Sequence, residues 1–204
     1  THLDFVSIDS AKTQDIDDAL CAEVTNEGWR LYVAIADPTA WLRSQEELSE
    51  ILIQRASSHY FHGDIIPLLP ENFVQDHCAL VANSVRPAIV CSINIKDSGE
   101  ITGYEVQLGI IRSRAKLTYS LVDRYITKHD QTLIEFSHPL ESLLQIYRAL
   151  RGHRETRELV MEDRSEFRWI LDKHQQISSI EKHEKLQSQR LVAECMVAAN
   201  RCVA

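Results

Sequence analysis

The sequence predicts a single α+β domain in which β-strands dominate the first half and helices the second. Three observations lead to this prediction. The first half contains apolar segments that pair across turn-forming residues, as β-hairpins do. From His138 onward the apolar residues recur at helical spacing instead. The 204 residues also contain no internal repeat and no linker-like stretch, so one continuous core is the simplest organisation.

The first predicted strands flank an acidic segment. Leu3–Ile8 has the alternation of a half-buried strand, and Ala19–Val24 and Trp29–Ala36 are the arms of a hairpin around the turn-forming Asn26-Glu27-Gly28. The segment between the first two strands contains four aspartates, namely Asp9, Asp15, Asp17 and Asp18. The hairpin is therefore expected to lie directly behind these carboxylates.

The middle of the chain predicts a helix followed by a second hairpin. Leu48, Leu52 and Ile53 have helical spacing, so we expect a helix over 46–58. An irregular stretch follows from Tyr60 to Pro70, whose prolines exclude an interior strand. The second hairpin has its arms at 88–95 and 100–111, and its second arm continues towards residue 119.

The remaining elements are predicted from capping and periodicity. Thr118 is a suitable N-cap for a short helix that ends near Ile126. The other elements follow in order as a helix from 138 towards 160, a hairpin from 167–171 and 177–180, and a helix from about 184 to the end of the chain.

The overall charge limits how this protein can contact nucleic acid. The net charge is −8 and the isoelectric point is about 5.6. Affinity for a polyanion comes largely from lysine and arginine, so the chain is not expected to grip nucleic acid over its whole surface. A local site is compatible with this charge, because a metal-dependent phosphodiesterase needs an acidic centre.

The five cysteines predict buried, reduced thiols in a cytoplasmic protein. Their number is odd, they sit in apolar runs and no CxxC spacing occurs. No apolar run is long enough to span a bilayer, so no membrane association is expected. The chain begins at Thr1 with neither a methionine nor a basic-then-apolar leader, which suggests a fragment or a processed chain.

The acidic segment predicts a metal site. Carboxylates this close repel one another, and a divalent cation usually offsets that repulsion. Mg²⁺ prefers sites where a few carboxylates share it with water and substrate phosphate, and two such ions can support phosphodiester hydrolysis. A calcium EF-hand is disfavoured, because the loop lacks glycine at its sixth position and has Leu20 at its twelfth. An acidic surface loop without a ligand is the alternative.

Tyrosines and arginines outside the acidic segment are candidates for contacts to nucleic acid. Tyr60 and Tyr119 can stack on bases, although a single aromatic residue more often belongs to a core. Arg112, Arg114 and Lys116 alternate along one predicted strand, so we expect them in a row that follows phosphates. A solvated helix face is the simplest explanation for a second basic concentration, which consists of Arg148, Arg151, His153, Arg154 and Arg157.

Several motifs together resemble a known family. They occur in the same order along the whole chain as Asp4–Leu20 with its Asp-Ile-Asp-Asp core, Val33–Trp41, Ile66–Pro70, Ala115–Tyr119 and Glu194–Asn200. In these motifs the chain is similar to the catalytic RNB domain of the ribonuclease II and ribonuclease R family. The details are closer to bacterial ribonuclease II.

The resemblance implies an activity and a set of site residues. The resemblance implies a processive, hydrolytic exoribonuclease, which shortens single-stranded RNA from its 3′ end and releases nucleoside 5′-monophosphates. The four aspartates match the family's Mg²⁺-site aspartates, which implies Mg²⁺ or Mn²⁺ as cofactor and Asp17 as the least replaceable position. Tyr60 matches the tyrosine that stacks on the 3′-terminal nucleotide, and Tyr119 matches a second tyrosine that contacts RNA.

The chain also departs from the family pattern. Glu194 is preceded by Ala193 where the family often has a second acidic residue, and Met161 stands where ribonuclease II-like chains can have a phenylalanine opposite the stacking tyrosine. A thioether is a less rigid platform for a base.

The family's catalytic arginine, in a Pro-Ile-Arg-Arg-Tyr type motif, is absent from these residues, as are the flanking cold-shock and S1 RNA-binding domains. Residues 1–204 are therefore expected to be the N-terminal part of an RNB catalytic domain, with a curved, mostly antiparallel sheet flanked by helices. Such a part is expected to be inactive alone. The alternative function is a non-catalytic binding or scaffolding module, and the sequence carries no signal of oligomeric state.

Overall fold

A computed structural model describes residues 3–42, 46–61, 64–156, 166–174 and 176–204. The strands are β1 (Phe5–Asp9), β2 (Asp18–Thr25), β3 (Gly28–Ala36), β4 (His59–Phe61), β5 (Asp64–Ile66), β6 (Val85–Lys96), β7 (Ile101–Thr118), β8 (Glu166–Leu171) and β9 (Ile177–His183). The helices are α1 (Thr39–Leu42), α2 (Glu46–Arg55), α3 (Glu71–Phe73), α4 (Tyr119–Lys128), α5 (Ser137–Thr156) and α6 (Gln187–Val203), with a π-helical turn at Val74–Cys78 and a 3₁₀ segment at Gln131–Phe136.

Five of the strands form a closed barrel in the order β1-β2-β3-β6-β7. Its neighbours are antiparallel except for β1 and β7, which are parallel and close the barrel. The predicted mostly antiparallel sheet is therefore confirmed, whereas its closure was not expected from the sequence. In the closing pair Asp9 lies opposite Thr118, which brings the start of the acidic segment next to the start of α4.

The main core lies between the barrel and the helices α4, α5 and α6. Its buried side chains come from both layers, and the central ones are Leu20, Leu31, Ile93, Leu143, Ile146 and Leu191. A smaller cluster of buried residues on the other face of the strands contains Phe5, Ile16, Ala19, Ala34, Leu80 and Ile111. All five cysteines are free and buried, as the sequence predicted.

The turn between β6 and β7 is fixed against α5. Gly99 has φ +81°, and a Cβ atom built on it would lie 2.0 Å from the carbonyl oxygen of Ala149. Only glycine leaves room for the helix backbone at this distance. The long hairpin is thus held directly on the helical layer.

Several predicted elements are confirmed with shifted ends. The Thr118 hydroxyl accepts a hydrogen bond from the Leu121 N–H at 3.3 Å, so it caps α4 as expected. The last helix begins at Gln187 rather than near 184, and the Gln187 N–H donates to the Asp123 carboxylate at 2.7 Å. The predicted extension of α5 towards residue 160 lies outside the described residues.

One predicted irregular stretch is partly ordered. β4 and β5 pair as a small antiparallel hairpin, with Tyr60 opposite Ile65. β5 ends at Ile66, directly before Pro67, so the proline still excludes a longer strand. The two short strands form a sheet of their own, separate from the barrel.

None of the helices in the described part of the chain is both long enough and apolar enough to cross a lipid bilayer.

Candidate active site

The acidic segment is held at one end of the barrel, where β1 ends and β2 begins. Its far end is anchored by Ile16, whose side chain is buried and whose carbonyl oxygen accepts a hydrogen bond from the Leu80 N–H at 2.8 Å. The Asp17 carbonyl oxygen accepts from the Ala36 N–H, also at 2.8 Å. These bonds fix the backbone on which Asp17 and Asp18 are carried.

The near end of the segment is organised by short-range hydrogen bonds. Asp9 Oδ1 accepts from the Ser10 N–H at 2.5 Å and from Thr13 Oγ1 at 3.0 Å. Lys116 Nζ donates to the carbonyl oxygens of Thr13 and, at 3.5 Å, of Ala11. The lysine therefore stabilises the backbone of the loop, because its hydrogen bonds go to backbone carbonyl oxygens rather than to the carboxylates.

Burial and neighbouring negative charges raise the pKa values of Asp17, Asp18 and Tyr119. Burial, followed by the charges of Asp9 and Asp17, raises the pKa of Asp18 from 3.8 to about 6. The pKa of Asp17 is raised by desolvation and by the charges of Asp15 and Asp9, although its side chain reaches solvent. Burial, together with the charges of Asp9 and Asp18, raises the pKa of Tyr119 to about 12. Tyr119 is therefore a close neighbour of this carboxylate group.

One carboxylate oxygen at this site lacks a hydrogen bond. Asp18 Oδ2 is buried and has no hydrogen-bond partner among the described residues. Leaving a buried acceptor unsatisfied is unfavourable, and such atoms often mark a ligand position. Because carboxylate oxygens are hard ligands, the donor chemistry fits a cation such as Mg²⁺.

The four aspartates are not drawn together into a ready ligand cage. Within the described ranges, no three side chains among His, Cys, Asp and Glu are placed so that they could hold a metal ion. In addition to burial, the charges of Asp9 and Asp17 raise the pKa of Asp18, and the charges of Asp15 and Asp9 raise the pKa of Asp17. The assignment of all four as metal ligands stays a prediction.

The other predicted RNA contacts are distributed over the fold. Tyr60 is 72% exposed on β4, and in the part of the chain that is described its side chain makes no hydrogen bond or ring contact. Arg114 Nη1 lies 2.9 Å from Asp4 Oδ2 in an exposed ion pair, and Arg112 is exposed on the same strand. Met161 lies outside the described residues.

The prediction of a basic row formed by Arg112, Arg114 and Lys116 is wrong in one respect. The register of β1 against β7 shifts between Phe5 and Val6, so that β7 has one extra residue at this point. Such a bulge reverses the alternation of the side chains that follow it. Lys116 therefore lies on the opposite face of β7 from Arg112 and points its amine at the acidic loop.

Glu194 lies in a buried ion pair. Its Oε2 is 3.1 Å from Arg154 Nη2, and the two side chains are only 10% and 19% exposed. Burial raises the pKa of Glu194, and the charge of Arg154 opposes that shift. The pair links α5 to α6, so the expected solvated helix face is wrong for Arg154.

Lys116 and Leu80 hold the acidic loop in place through hydrogen bonds to its backbone. This role was not predicted from the sequence. Lys116 is more than 100 positions away from its acceptor in the loop. No local pattern links residues this far apart, so the sequence contained no signal for this contact.

Comparison with known proteins places this arrangement in a family. A family model described as the RNB domain matches residues 1–204. The chain belongs to the RNB family. One curated relative of this RNB chain is Exoribonuclease 2 of Escherichia coli, which is 37% identical over 209 residues. The match covers 100% of the chain but 32% of the relative, so the chain spans about a third of the length of the curated relatives it matches.

Solved structures confirm the fold. Mycoplasma genitalium RNase R in complex with ribose methylated single-stranded RNA matches with a TM-score of 0.89 and 25% identity, over 100% of this chain and 32% of that one. Yeast Ssd1, a pseudonuclease, matches with a TM-score of 0.62 over 76% of this chain and 18% of its own. Because yeast Ssd1 is only 16% identical to this chain, this similarity concerns the fold alone. The predicted RNB fold is therefore confirmed, and it occurs in both nucleases and a pseudonuclease.

The raised pKa of Asp18 predicts a specific pH dependence of stability. A carboxyl group whose pKa is higher in the folded state stabilises the fold below pH 3.8, and this contribution is lost as the pH rises towards about 6. We expect Asp18→Asn, measured by thermal unfolding in EDTA, to unfold at a higher temperature than the parent chain at pH 7.5, with a smaller difference at pH 4. A variant that is equally or less stable at pH 7.5 would contradict the electrostatic strain at this position.

Proposed function

We propose that this chain forms the metal-binding part of the active site of a 3′-to-5′ exoribonuclease. The enzyme hydrolyses single-stranded RNA and releases nucleoside 5′-monophosphates in the cytoplasm. The observation that carries the proposal is the unsatisfied carboxylate of Asp18, which lies among Asp9, Asp17 and Tyr119 at the end of an RNB barrel. The relatives named exoribonuclease support the same reaction.

The proposed reaction is a simple hydrolysis. The oxygen of a water molecule attacks the phosphorus of the last phosphodiester, the bond from phosphorus to the 3′ oxygen breaks, and that oxygen takes up a proton. The phosphate thus leaves with the terminal nucleoside as its 5′-monophosphate. Asp9, Asp15, Asp17 and Asp18 would hold Mg²⁺ or Mn²⁺, which supplies activation of water and neutralisation of charge on the phosphate.

The chain's own residues position the RNA. Tyr60 offers an exposed ring on which the 3′-terminal base can stack. Tyr119 keeps its proton at neutral pH, because its pKa is about 12, and can therefore donate a hydrogen bond beside Asp9 and Asp18. Arg112, Arg114, Glu194 and Met161 complete the set of proposed RNA contacts.

The complete catalyst is proposed to need more chain than these residues. The relatives are about three times as long. On β6 and β7 an exposed strip of apolar side chains continues the face that packs under α6, and it consists of Ile89, Tyr104, Val106, Leu108 and Ile110. A strip of this kind usually marks a surface that another segment covers. Residues 1–204 are therefore proposed to be part of an RNB catalytic domain, accompanied in the whole protein by cold-shock and S1 domains.

A non-catalytic module is the second candidate function. The observation in its favour is that the same fold occurs in a pseudonuclease and that the aspartates are not assembled into a ligand cage. In that case the acidic loop would bind ions or solvent without hydrolysis. The experiments below separate the two candidates.

The proposed hydrolysis depends on Asp17. In the full-length protein that contains this chain, we expect Asp17→Asn to reduce release of 5′-monophosphates from 3′-labelled RNA at least about a hundredfold, because a ligand of the metal and its charge are lost. Asp97→Asn, an exposed aspartate in the β6–β7 turn, is the matched control and should keep full activity. Undiminished release by a folded Asp17→Asn protein would reject the proposed active site.

Metal binding should stabilise the isolated chain. A cation that binds only the folded state raises its stability by about 2.7 kcal/mol at a concentration one hundred times the dissociation constant. We expect millimolar Mg²⁺ or Mn²⁺ to raise the melting temperature at pH 7.5, and Asp18→Asn to abolish that rise while Asp97→Asn retains it. Equal responses of all three proteins would show that the metal acts elsewhere.

Tyr60 should contribute to RNA binding through its ring. Stacking on a base is worth roughly 1–3 kcal/mol, so Tyr60→Ala should weaken binding of single-stranded RNA about tenfold and Tyr60→Phe should retain it. Tyr104→Ala, which removes another exposed ring, on β7, serves as the control. Fluorescence anisotropy in EDTA measures all four proteins, and equal losses from both alanine variants would exclude a specific stacking position.

A further inference from the structure

A cleft lined by arginines lies between α5 and the first turn of α6. It has a volume of about 310 Å³, and its charged lining residues are Arg148, Arg151 and Arg190 with a single acidic residue, Glu155. Three positive charges against one negative are concentrated here in a chain whose net charge is −8. Because none of these residues belongs to the acidic site, the cleft needs an explanation of its own.

The central arginine of the cleft is held in one orientation. Arg151 Nε donates to Glu155 Oε1 at 2.9 Å, and its Nη1 donates to the Tyr147 hydroxyl at 3.0 Å. Its second Nη makes no hydrogen bond to the described residues. A guanidinium fixed on two sides loses little conformational freedom when it binds an anion, and its planar fork matches a phosphate.

A second arginine is available one turn earlier on the same helix. Arg148 precedes Arg151 by three residues, so both side chains lie on one face of α5. Arg148 is exposed and, in the described part of the chain, its side chain makes no hydrogen bond or ion pair. It can therefore approach a ligand without first breaking a contact.

The neighbouring acidic residue does not cancel this positive charge. Glu194 lies one turn along α6 from Arg190, and it is paired with Arg154 at 3.1 Å in a largely buried contact. The charge of Glu194 is thus offset first by Arg154, which lies outside the lining of the cleft, and then by Arg151. The lining itself has three arginines against the single acidic residue Glu155.

The cleft and the acidic site share the first turns of α6. Gln187 and Arg190 line the cleft, whereas the intervening Ser188 is buried and its Oγ donates to the carbonyl oxygen of Tyr119 at 2.8 Å. Tyr119 in turn neighbours the aspartates. One helical turn therefore links a site suited to a cation with a site suited to an anion.

We propose that the cleft of Arg148, Arg151 and Arg190 binds a backbone phosphate of single-stranded RNA whose 3′ end lies at the aspartates. This inference rests on the exoribonuclease function proposed above. It assigns the arginines of α5, which the hydrolytic site does not use, to holding the strand upstream of the bond that is cleaved. Arginine suits this task, because it contacts phosphate through two parallel N–H groups.

The salt dependence of binding tests the proposal directly. The affinity of the chain for 5′-fluorescein-labelled oligouridine is measured by anisotropy in EDTA over a range of KCl concentrations. The slope of log K against log salt is negative, and each lost phosphate contact makes it shallower by about 0.7 for a single strand. We expect this decrease for Arg148→Gln, whereas Arg148→Lys should keep the slope because it keeps the charge.

A matched control and a length series sharpen the result. Arg30→Gln removes the same charge from an exposed arginine on β3 and should leave the slope unchanged. The effect of Arg148→Gln should appear only with oligouridines long enough to reach from the aspartates to the cleft. An equal change in Arg30→Gln, or no change in Arg148→Gln at any length, overturns the proposal.

Two further outcomes have defined meanings. If a labelled oligoglutamate peptide binds the parent chain and loses more affinity than RNA does in Arg148→Gln, the cleft is a docking site for an acidic protein segment and the proposal is wrong. Because binding is measured in EDTA, it does not depend on hydrolysis. If Arg148→Gln decreases the slope but hydrolysis does not depend on Asp17, the phosphate site in the cleft is supported and the exoribonuclease function is rejected. If hydrolysis depends on Asp17 but Arg148→Gln leaves the slope unchanged, only the phosphate site in the cleft is rejected.

Discussion

The parallel pairing of β1 with the end of β7 is the contact on which the rest of the structure depends. It joins segments that are more than 100 residues apart and closes the barrel. It also sets Asp9 beside Thr118, so that α4 begins next to the acidic loop and Tyr119 faces the carboxylates. Without this pair the loop would connect two strands at a sheet edge, and no helix would be positioned over it.

The barrel holds like charges together at a cost to its own stability. Asp18 is kept partly buried with an unsatisfied oxygen, and its pKa is raised to about 6 by burial and by its neighbours. Lys116, which reaches the loop from β7, bonds to backbone carbonyls. This arrangement secures the loop without neutralising its carboxylates, which leaves a negative potential for a cation. Carboxyl groups with raised pKa values cluster at functional sites.

A concentration of arginine lies apart from that site. The arginines of α5 and the first turn of α6 form a cleft of their own, and Arg154 is used to compensate the buried Glu194. The shared fold of nucleases and a pseudonuclease means that the barrel alone does not determine activity.

The sequence by itself determined the elements whose signals are local. Alternation and turn residues predicted the first two hairpins, and Thr118 predicted the start of α4. These predictions succeeded because each depends on residues within a few positions of one another. Barrel closure, the bulge that turns Lys116 towards the loop, the burial of Glu194 against Arg154 and the arginine cleft were decided only by the tertiary structure. Each of them arises from contacts between elements that are distant in sequence, and the free energy of such contacts depends on packing that no local pattern encodes.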